Sequence, residues 1–341
     1  MRTIFAQAGA ATGASARVAV APGGRSSRGG SGGLAHASRS AATLRSALPG
    51  LVPIFVTLVS VAVAFADAVP EESLRRVLGQ PSSVLVAPEE TLLDIAVRHS
   101  VGFDAIARLN PEIDAWIPEP GSVVRLPSHV VLPVVQEQGL VINIPEMRLF
   151  DFTVEAGPGI LAAAVGDAEV PTPTGEFEIR DKRVDPVWTV PRSIREEKPE
   201  LPERVPAGPE NPLGSRWMRI GETSFGIHGT NVRWSVGRTA THGCVRLYEP
   251  AIQDLFERTP EGARLHIVYQ PYKWGRDGSR ILFEAHPDRY HRILDPLATA
   301  LRPIRELGLL GSVDIERVWQ AIDESHGVPI PVGTLPPAES L

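Results

Sequence analysis

The chain has 341 residues, 43% of them hydrophobic and 22% charged, a balance that excludes a disordered chain, a collagen-like repeat and a multi-pass membrane protein. Its one cysteine, Cys244, cannot close a disulfide within the chain or build a thiolate zinc site. The net charge is −6, but the first 66 residues carry six arginines and no acid, so the remainder sums to −12, which argues against nucleic acid as a partner of the folded part.

In chain order, residues 1–50 are rich in Ala, Gly, Ser and Arg and offer no periodicity from which to build a core. From Ser46 to Ala66 there are 21 residues without charge, and Leu51 to Phe65 is continuously apolar and ends in Ala64-Phe65-Ala66. That length and small-residue ending predict a low-complexity extension and signal peptide over 1–66, and hence export to the periplasm or cell envelope. The competing reading is an uncleaved anchor, the one membrane contact the sequence offers. In an oxidising compartment a lone thiol is buried and inert, bridged to another chain, or kept for reactivity.

Between 83 and 127 the pattern predicts strand, helix, helix, strand. Val84-Leu85-Val86 reads as a strand, Thr91 as the N-cap of Leu92–His99, Phe103–Leu109 as a helix stopped by Asn110-Pro111, and Val123–Leu126 as a closing strand after Pro120-Gly121. With Glu90-Thr91-Leu92, Ile95-Ala96, Ile106 and Leu109-Asn110, this stretch resembles a LysM module, although Pro88-Glu89-Glu90-Thr91 stands where the family has Pro-Gly-Asp-Thr. The resemblance implies binding to the glycan of peptidoglycan or chitin; the alternative is a spacer.

From Val130 the periodicity becomes that of strands: Leu140–Ile144, Arg148–Phe152, Leu161–Val165, Glu176–Ile179, Met218–Ile220, Phe225–His228 and Leu265–Tyr269, with one clear helix over 250–258. Short runs punctuated by Gly and Pro predict a β-sandwich or barrel over 131–270. The nine prolines from Pro171 to Pro212 predict a long loop lying over the sheet after the strand at Glu176–Ile179. A C-terminal extension, 271–341, is expected to hold a hairpin at Asp277-Gly278, a helix near Val313–Ser325 and a frayed end of about ten residues.

A nucleophilic cysteine needs a base, an oxyanion-binding donor pair and positive surroundings. His228 lies 16 residues before Cys244, far enough for a hairpin to bring its imidazole to the sulfur. Gly243 admits close backbone approach, so that its N–H and that of Cys244 can face one oxygen. Arg246 falls on the same side of an extended chain as Cys244 and can pair with a substrate carboxylate; the competing reading pairs it with Glu249. A zinc site built from His228, His242 and Cys244 lacks a carboxylate base and a recognisable spacing, so no metal and no cofactor are expected.

Ile227-His228-Gly229-Thr230 and Gly237-Arg238-Thr239-Ala240-Thr241-His242-Gly243-Cys244-Val245-Arg246-Leu247 resemble the signature of L,D-transpeptidases of the YkuD type, and Pro171–Phe177 and Asn211-Pro212-Leu213-Gly214 are similar to accessory motifs of that family. One departure is Pro250, where many relatives carry Asp. The fold implied is a mainly β catalytic domain, a YkuD-type β-sandwich with one main helix, preceded by a small α+β LysM-like module.

The chemistry implied is acyl transfer on peptidoglycan stem peptides. Cys244 attacks the third stem residue, meso-diaminopimelate, releases terminal D-Ala and leaves a thioester, which an amine of a second stem or of an outer-membrane lipoprotein resolves. By the same resemblance His228 is the base, oriented by the carbonyl of Gly229; His242 supports it, Arg246 holds a carboxylate, and Thr241 and Trp234 shape the pocket. The alternatives are hydrolysis of the same thioester, by a carboxypeptidase or a lipoprotein-releasing amidase, and a non-catalytic peptidoglycan-binding protein.

Overall fold

The computed structural model describes residues 74–336; the expected signal peptide lies outside the described residues. Chain order begins with β1 (Arg75–Leu78), β2 (Ser82–Leu85), α1 (Leu92–Arg98), α2 (Phe103–Leu109) and β3 (Val123–Leu126). α1 starts at a reciprocal cap: the Thr91 hydroxyl accepts the Asp94 N–H at 3.1 Å, and the Asp94 carboxylate accepts the Thr91 N–H at 3.1 Å. β2 and β3 pair antiparallel, and Leu92, Ile95, Phe103 and Ile106 bury themselves against Val86, Val124 and Leu126.

The main body follows: β4 (Val130–Val131), β5 (Leu140–Asn143), β6 (Arg148–Asp151), β7 (Gly159–Gly166), β8 (Gly175–Val184), β9 (Trp188–Thr189), α3 (Arg192–Glu197), β10 (Arg204–Val205), β11 (Arg216–Ile220), β12 (Gly226–His228), β13 (Thr239–Thr241), β14 (Val245–Leu247), α4 (Glu249–Arg258) and β15 (Arg264–Val268). Nine of these strands run in the order β13-β7-β14-β12-β11-β8-β15-β5-β6, and β6 also pairs with β7, so the sheet closes on itself around one core. Alternation along the strands sets the layers. Leu140 and Ile142 face that core with Leu149, Ile227, Val245 and Leu247, whereas Val141 and Phe150 face outward onto Val130, Leu132 and Val268. The helix α4 adds Ile252, Leu255 and Phe256 from one face, and Lys182 Nζ caps its C-terminal end, donating to the carbonyls of Phe256 and Thr259.

Two sequence expectations are corrected here. The strand near Glu176 runs on to Val184, because after leaving β15 it pairs with β11 up to Arg216↔Val184; its outer half is polar, which hid it among the prolines. No hairpin joins His228 to Cys244: β12 and β14 lie side by side in parallel, Ile227 opposite Val245 and His228 opposite Arg246. The 16-residue connection is long enough for the crossover that parallel pairing needs, and it takes β13 to the far side of β7.

The chain ends in β16 (Tyr272–Asp277), β17 (Arg280–Ala285), α5 (Pro296–Glu306), α6 (Ile315–Glu324) and β18 (Ile330–Thr334). The expected hairpin and helix are β16–β17 and α6. Fraying is corrected as far as Thr334, since β18 pairs with β17, and α5, which carries a proline in its last turn at Pro303, was not anticipated. These strands form a second sheet, β18-β17-β16-β1-β4, in which β1 runs parallel to β16. Among the described residues, no helix is long and apolar enough to cross a membrane.

The C-terminal sheet is fixed to the main body by a buried charge cluster. Lys273 Nζ lies 2.9 Å from Glu146 and 3.1 Å from Glu284, Arg148 reaches both acids at 3.2 and 3.5 Å, and His286 Nε2 is 2.7 Å from Glu284. Burial alone would raise the Glu284 carboxyl, but Lys273, His286 and Arg148 outweigh it and hold it below the usual carboxylate range. Glu146, Glu284 and His286 could together face a metal, yet the lysine ammonium already stands between the two carboxylates. Lys273→Met would leave two buried acids short of one cation, and we expect it to cost about 3–5 kcal/mol of stability, read by urea unfolding. A loss under about 1 kcal/mol would mean that the acids find other partners.

Candidate active site

The parallel register of β12 and β14 decides what faces outward. Ile227 and Val245 both enter the core, so alternation turns His228, Cys244 and Arg246 to the opposite face of the sheet. Cys244 is level with Gly226, whose backbone N–H donates to the sulfur. Gly243 has φ +91°, and a side chain there would run into the Phe225 ring, so the tight approach to β14 requires glycine.

His228 is fully buried. Trp217, its neighbour on β11, stacks on it with ring centres 5.6 Å apart, and the Leu213 carbonyl meets it from the segment preceding β11. Its Nδ1 lies 2.6 Å from the Gly229 carbonyl. A carbonyl can only accept, so Nδ1 carries the proton and Nε2 presents a lone pair. Burial pulls the imidazole pKa down to about 3, Arg246 adds to the shift, and the Gly229 and Leu213 carbonyls oppose it. Burial also pushes the Cys244 thiol up, against the weaker effects of the Gly226 amide and Arg246. The resting pair is therefore a neutral thiol and a neutral imidazole, not a thiolate and an imidazolium.

Arg246 is half-buried, its Nε has no hydrogen-bond partner, and among the described residues it makes no ion pair. A buried guanidinium stays charged, so it is open to an incoming carboxylate. Glu249 does not pair with it. The Glu249 carboxylate instead accepts the Ser215 hydroxyl at 2.7 Å and packs so tightly under Gly229 that a side chain there would overlap it.

The other expected site residues divide. The Thr241 hydroxyl donates to the Cys244 carbonyl at 2.6 Å and so ties the turn carrying the thiol. His242 reaches across to Glu197, at the end of α3, with Nε2 to carboxylate 3.3 Å. That contact joins the thiol loop to the strap of β9, α3 and β10, whose base is stapled by buried Asn211: its amide donates to the carbonyls of Pro186 and Pro206 at 2.8 and 3.1 Å. Trp234 is half exposed with the Arg238 guanidinium 5.6 Å from its ring centre, and the same guanidinium covers Phe103 of α2 at 4.3 Å. This groups Trp234 with the junction to the small N-terminal unit, where Tyr248 also donates to the Val101 carbonyl at 2.9 Å and Asp104 pairs with Arg289 at 3.1 Å.

Sequence reasoning named Glu249 only as an alternative partner of Arg246 and did not assign Trp217 or Glu197, nor Thr172, whose hydroxyl donates to the Gly243 carbonyl at 3.1 Å. The accessory motif from Pro171 to Phe177 was the one available signal for Thr172; nothing local marked the others.

Residues 137–267 match the L,D-transpeptidase catalytic domain of the YkuD type. The chain is 32% identical to the probable L,D-transpeptidase ErfK/SrfK of Salmonella typhimurium, over 82% of this chain and 94% of that protein. It is 30% identical to the probable L,D-transpeptidase YcfS of Escherichia coli over the same shares. Among solved structures, the catalytic domain of an Enterococcus faecium L,D-transpeptidase aligns with 40% of this chain and all of that domain, at 17% identity and a TM-score of 0.30.

A histidine whose pKa is lower folded than unfolded withdraws stability as it is forced to protonate. Wild type should therefore lose stability as pH falls from about 6.5, the unfolded value, toward 3, and His228→Gln should lose less over that window. Thermal unfolding of the two proteins at matched pH checks this; parallel curves would show that His228 is not the group responsible.

Proposed function

The chain belongs to the L,D-transpeptidase family, and from that premise we propose that it remodels peptidoglycan through a thioester on Cys244. The observation that carries the reading is geometric: parallel pairing puts His228 and Cys244 on one face of the sheet, and the Gly229 carbonyl, 2.6 Å from Nδ1, engages the Nδ1–H, so that Nε2 is left to act as the base.

The substrate is the carbonyl of the third stem residue, meso-diaminopimelate, at its L-centre. As the sulfur attacks, its proton passes to His228 Nε2, the S–C bond forms and the carbonyl electron pair moves to oxygen, facing the N–H groups of Gly243 and Cys244. Collapse restores the carbonyl, breaks the bond to D-Ala and returns the proton from His228 to the departing amine. An acceptor amine then attacks the thioester, His228 takes its proton, and the thiol leaves with that proton restored. Burial acts on the two halves of the cycle in opposite senses: an imidazolium formed there is a strong acid toward the leaving amine, whereas the same imidazole is a weak base toward the thiol, so the thiol's proton leaves as the S–C bond forms.

The acceptor is an amine of a second stem or a lysine of an outer-membrane lipoprotein. Arg246 binds a stem carboxylate, which its lack of a carboxylate partner among the described residues supports. The unit from β2 to β3 is a LysM-like module that holds the glycan, and the enzyme works in the cell envelope after export.

Cys244→Ala should fold as wild type and release no D-Ala from disaccharide tetrapeptides, with mass spectrometry of the products as readout. Cross-linked dimers from wild type support transfer, tripeptides alone mean hydrolysis, and unchanged substrate leaves only glycan binding. Release of D-Ala by the alanine variant would rule out the thioester route.

A further inference from the structure

Gly243 poses a problem for the reaction proposed above. The residue must be glycine to pass Phe225, and glycine is the residue least able to hold a peptide plane by itself. Yet the plane between Gly243 and Cys244 carries the Cys244 N–H that is to face the developing oxyanion. In a trans peptide the carbonyl and the next N–H point in opposite directions. Whatever fixes the Gly243 carbonyl therefore aims the Cys244 N–H.

That carbonyl is held from outside its own loop. The Thr172 hydroxyl is fully buried, accepts the Gly166 N–H at 2.8 Å and donates to the Gly243 carbonyl at 3.1 Å. The Tyr290 hydroxyl accepts the Thr172 N–H at 3.2 Å and donates to the Gly166 carbonyl at 2.8 Å. Each hydroxyl has one proton: that of Thr172 goes to the Gly243 carbonyl and that of Tyr290 to the Gly166 carbonyl. Tyr290 is itself fixed: its N–H donates to the Tyr269 hydroxyl at 2.8 Å, the two rings stack 5.4 Å apart, and the Tyr269 hydroxyl donates to Asp288 at 2.5 Å. The device spans the accessory loop before β8 and a tail that lies beyond the main sheet.

We propose that Thr172, anchored by Tyr290, is the positioning residue that aims the Cys244 N–H at the oxyanion. The proposal rests on Cys244 being the acyl-transfer nucleophile. It predicts a defect confined to reactions that build an oxyanion.

Full-length wild type, Thr172→Val, Thr172→Ser and Tyr290→Phe are compared in two reactions of Cys244. Alkylation by iodoacetamide takes place at a saturated carbon and forms no oxyanion; acylation by a β-lactam takes place at a carbonyl and does. Thr172→Val should slow acylation about 10- to 100-fold, and Thr172→Ser should recover it to within about threefold of wild type. Tyr290→Phe keeps the Thr172 hydroxyl but loses its anchor, and should slow acylation about 3- to 10-fold. In all of them the pH profile of alkylation should overlay that of wild type. If Thr172→Val does not fold, the same comparison of the two reactions in Tyr290→Phe decides the matter.

Equal slowing of both reactions would reduce Thr172 to a packing role and overturn the proposal, as would acylation at the wild-type rate in Thr172→Val. A wild type that alkylates but never acylates would overturn the thioester reading, and this inference with it. A wild type that acylates while its variants do so equally fast would overturn the positioning role alone.

Discussion

Two strands of three residues each, laid in parallel, govern the rest of the site. Once Ile227 and Val245 are committed to the core, the neighbouring positions have no choice of face, and a histidine, a cysteine and an arginine are delivered together to the other side. Burying an Ile or Val side chain is worth roughly 1.5–3 kcal/mol, so the register is enforced by the same hydrophobic positions that hold the sheet together. A slip of one residue would turn Cys244 into the core and expose Val245. Stability and site geometry are thus one constraint, not two.

Around that pair the protein adds supports from distant parts of the chain. Glu249, at the start of α4, holds Ser215 and fills the space beneath Gly229, so the carbonyl that orients His228 rests on a helix. His242 and Glu197 join the thiol loop to the strap, and Asn211 fixes the base of that strap. The imidazole is isolated from water by Trp217 on one side and the Leu213 segment on the other, which is why it is neutral. Its orientation comes from a backbone carbonyl instead of a carboxylate, so no negative charge lies against the ring from that side.

What the sequence disclosed, it disclosed where chemistry is local. Cys244, Gly243 and Arg246 fall within four residues, and His228 and Gly229 are adjacent, so their pattern was legible before any fold was known. The pairing of β12 with β14 was not, because three-residue strands carry too little alternation to identify a partner, and a hairpin and a crossover both fit a gap of that length. The outer half of β8 was hidden by its polar residues, and α5 by Pro303 in its last turn. β1 lies in a stretch too short and too charged to read as part of any sheet. Tyr290 was out of reach for a different reason: it stands 118 residues from Thr172, and nothing near either residue points to the other.

The second sheet has a bearing on how the chain reaches its folded state. One of its inner strands, β1, precedes the main body in sequence and lies between β4 and β16, the latter from beyond residue 270. The two meet only after a loop of nearly two hundred residues has closed, a step whose entropy is spent before any contact repays it. The buried ion cluster closes a shorter loop, since Glu146 and Lys273 stand 127 residues apart. Until the segment beyond residue 270 is in place, neither the second sheet nor the cluster is complete, and Tyr290, the anchor of Thr172, belongs to that segment.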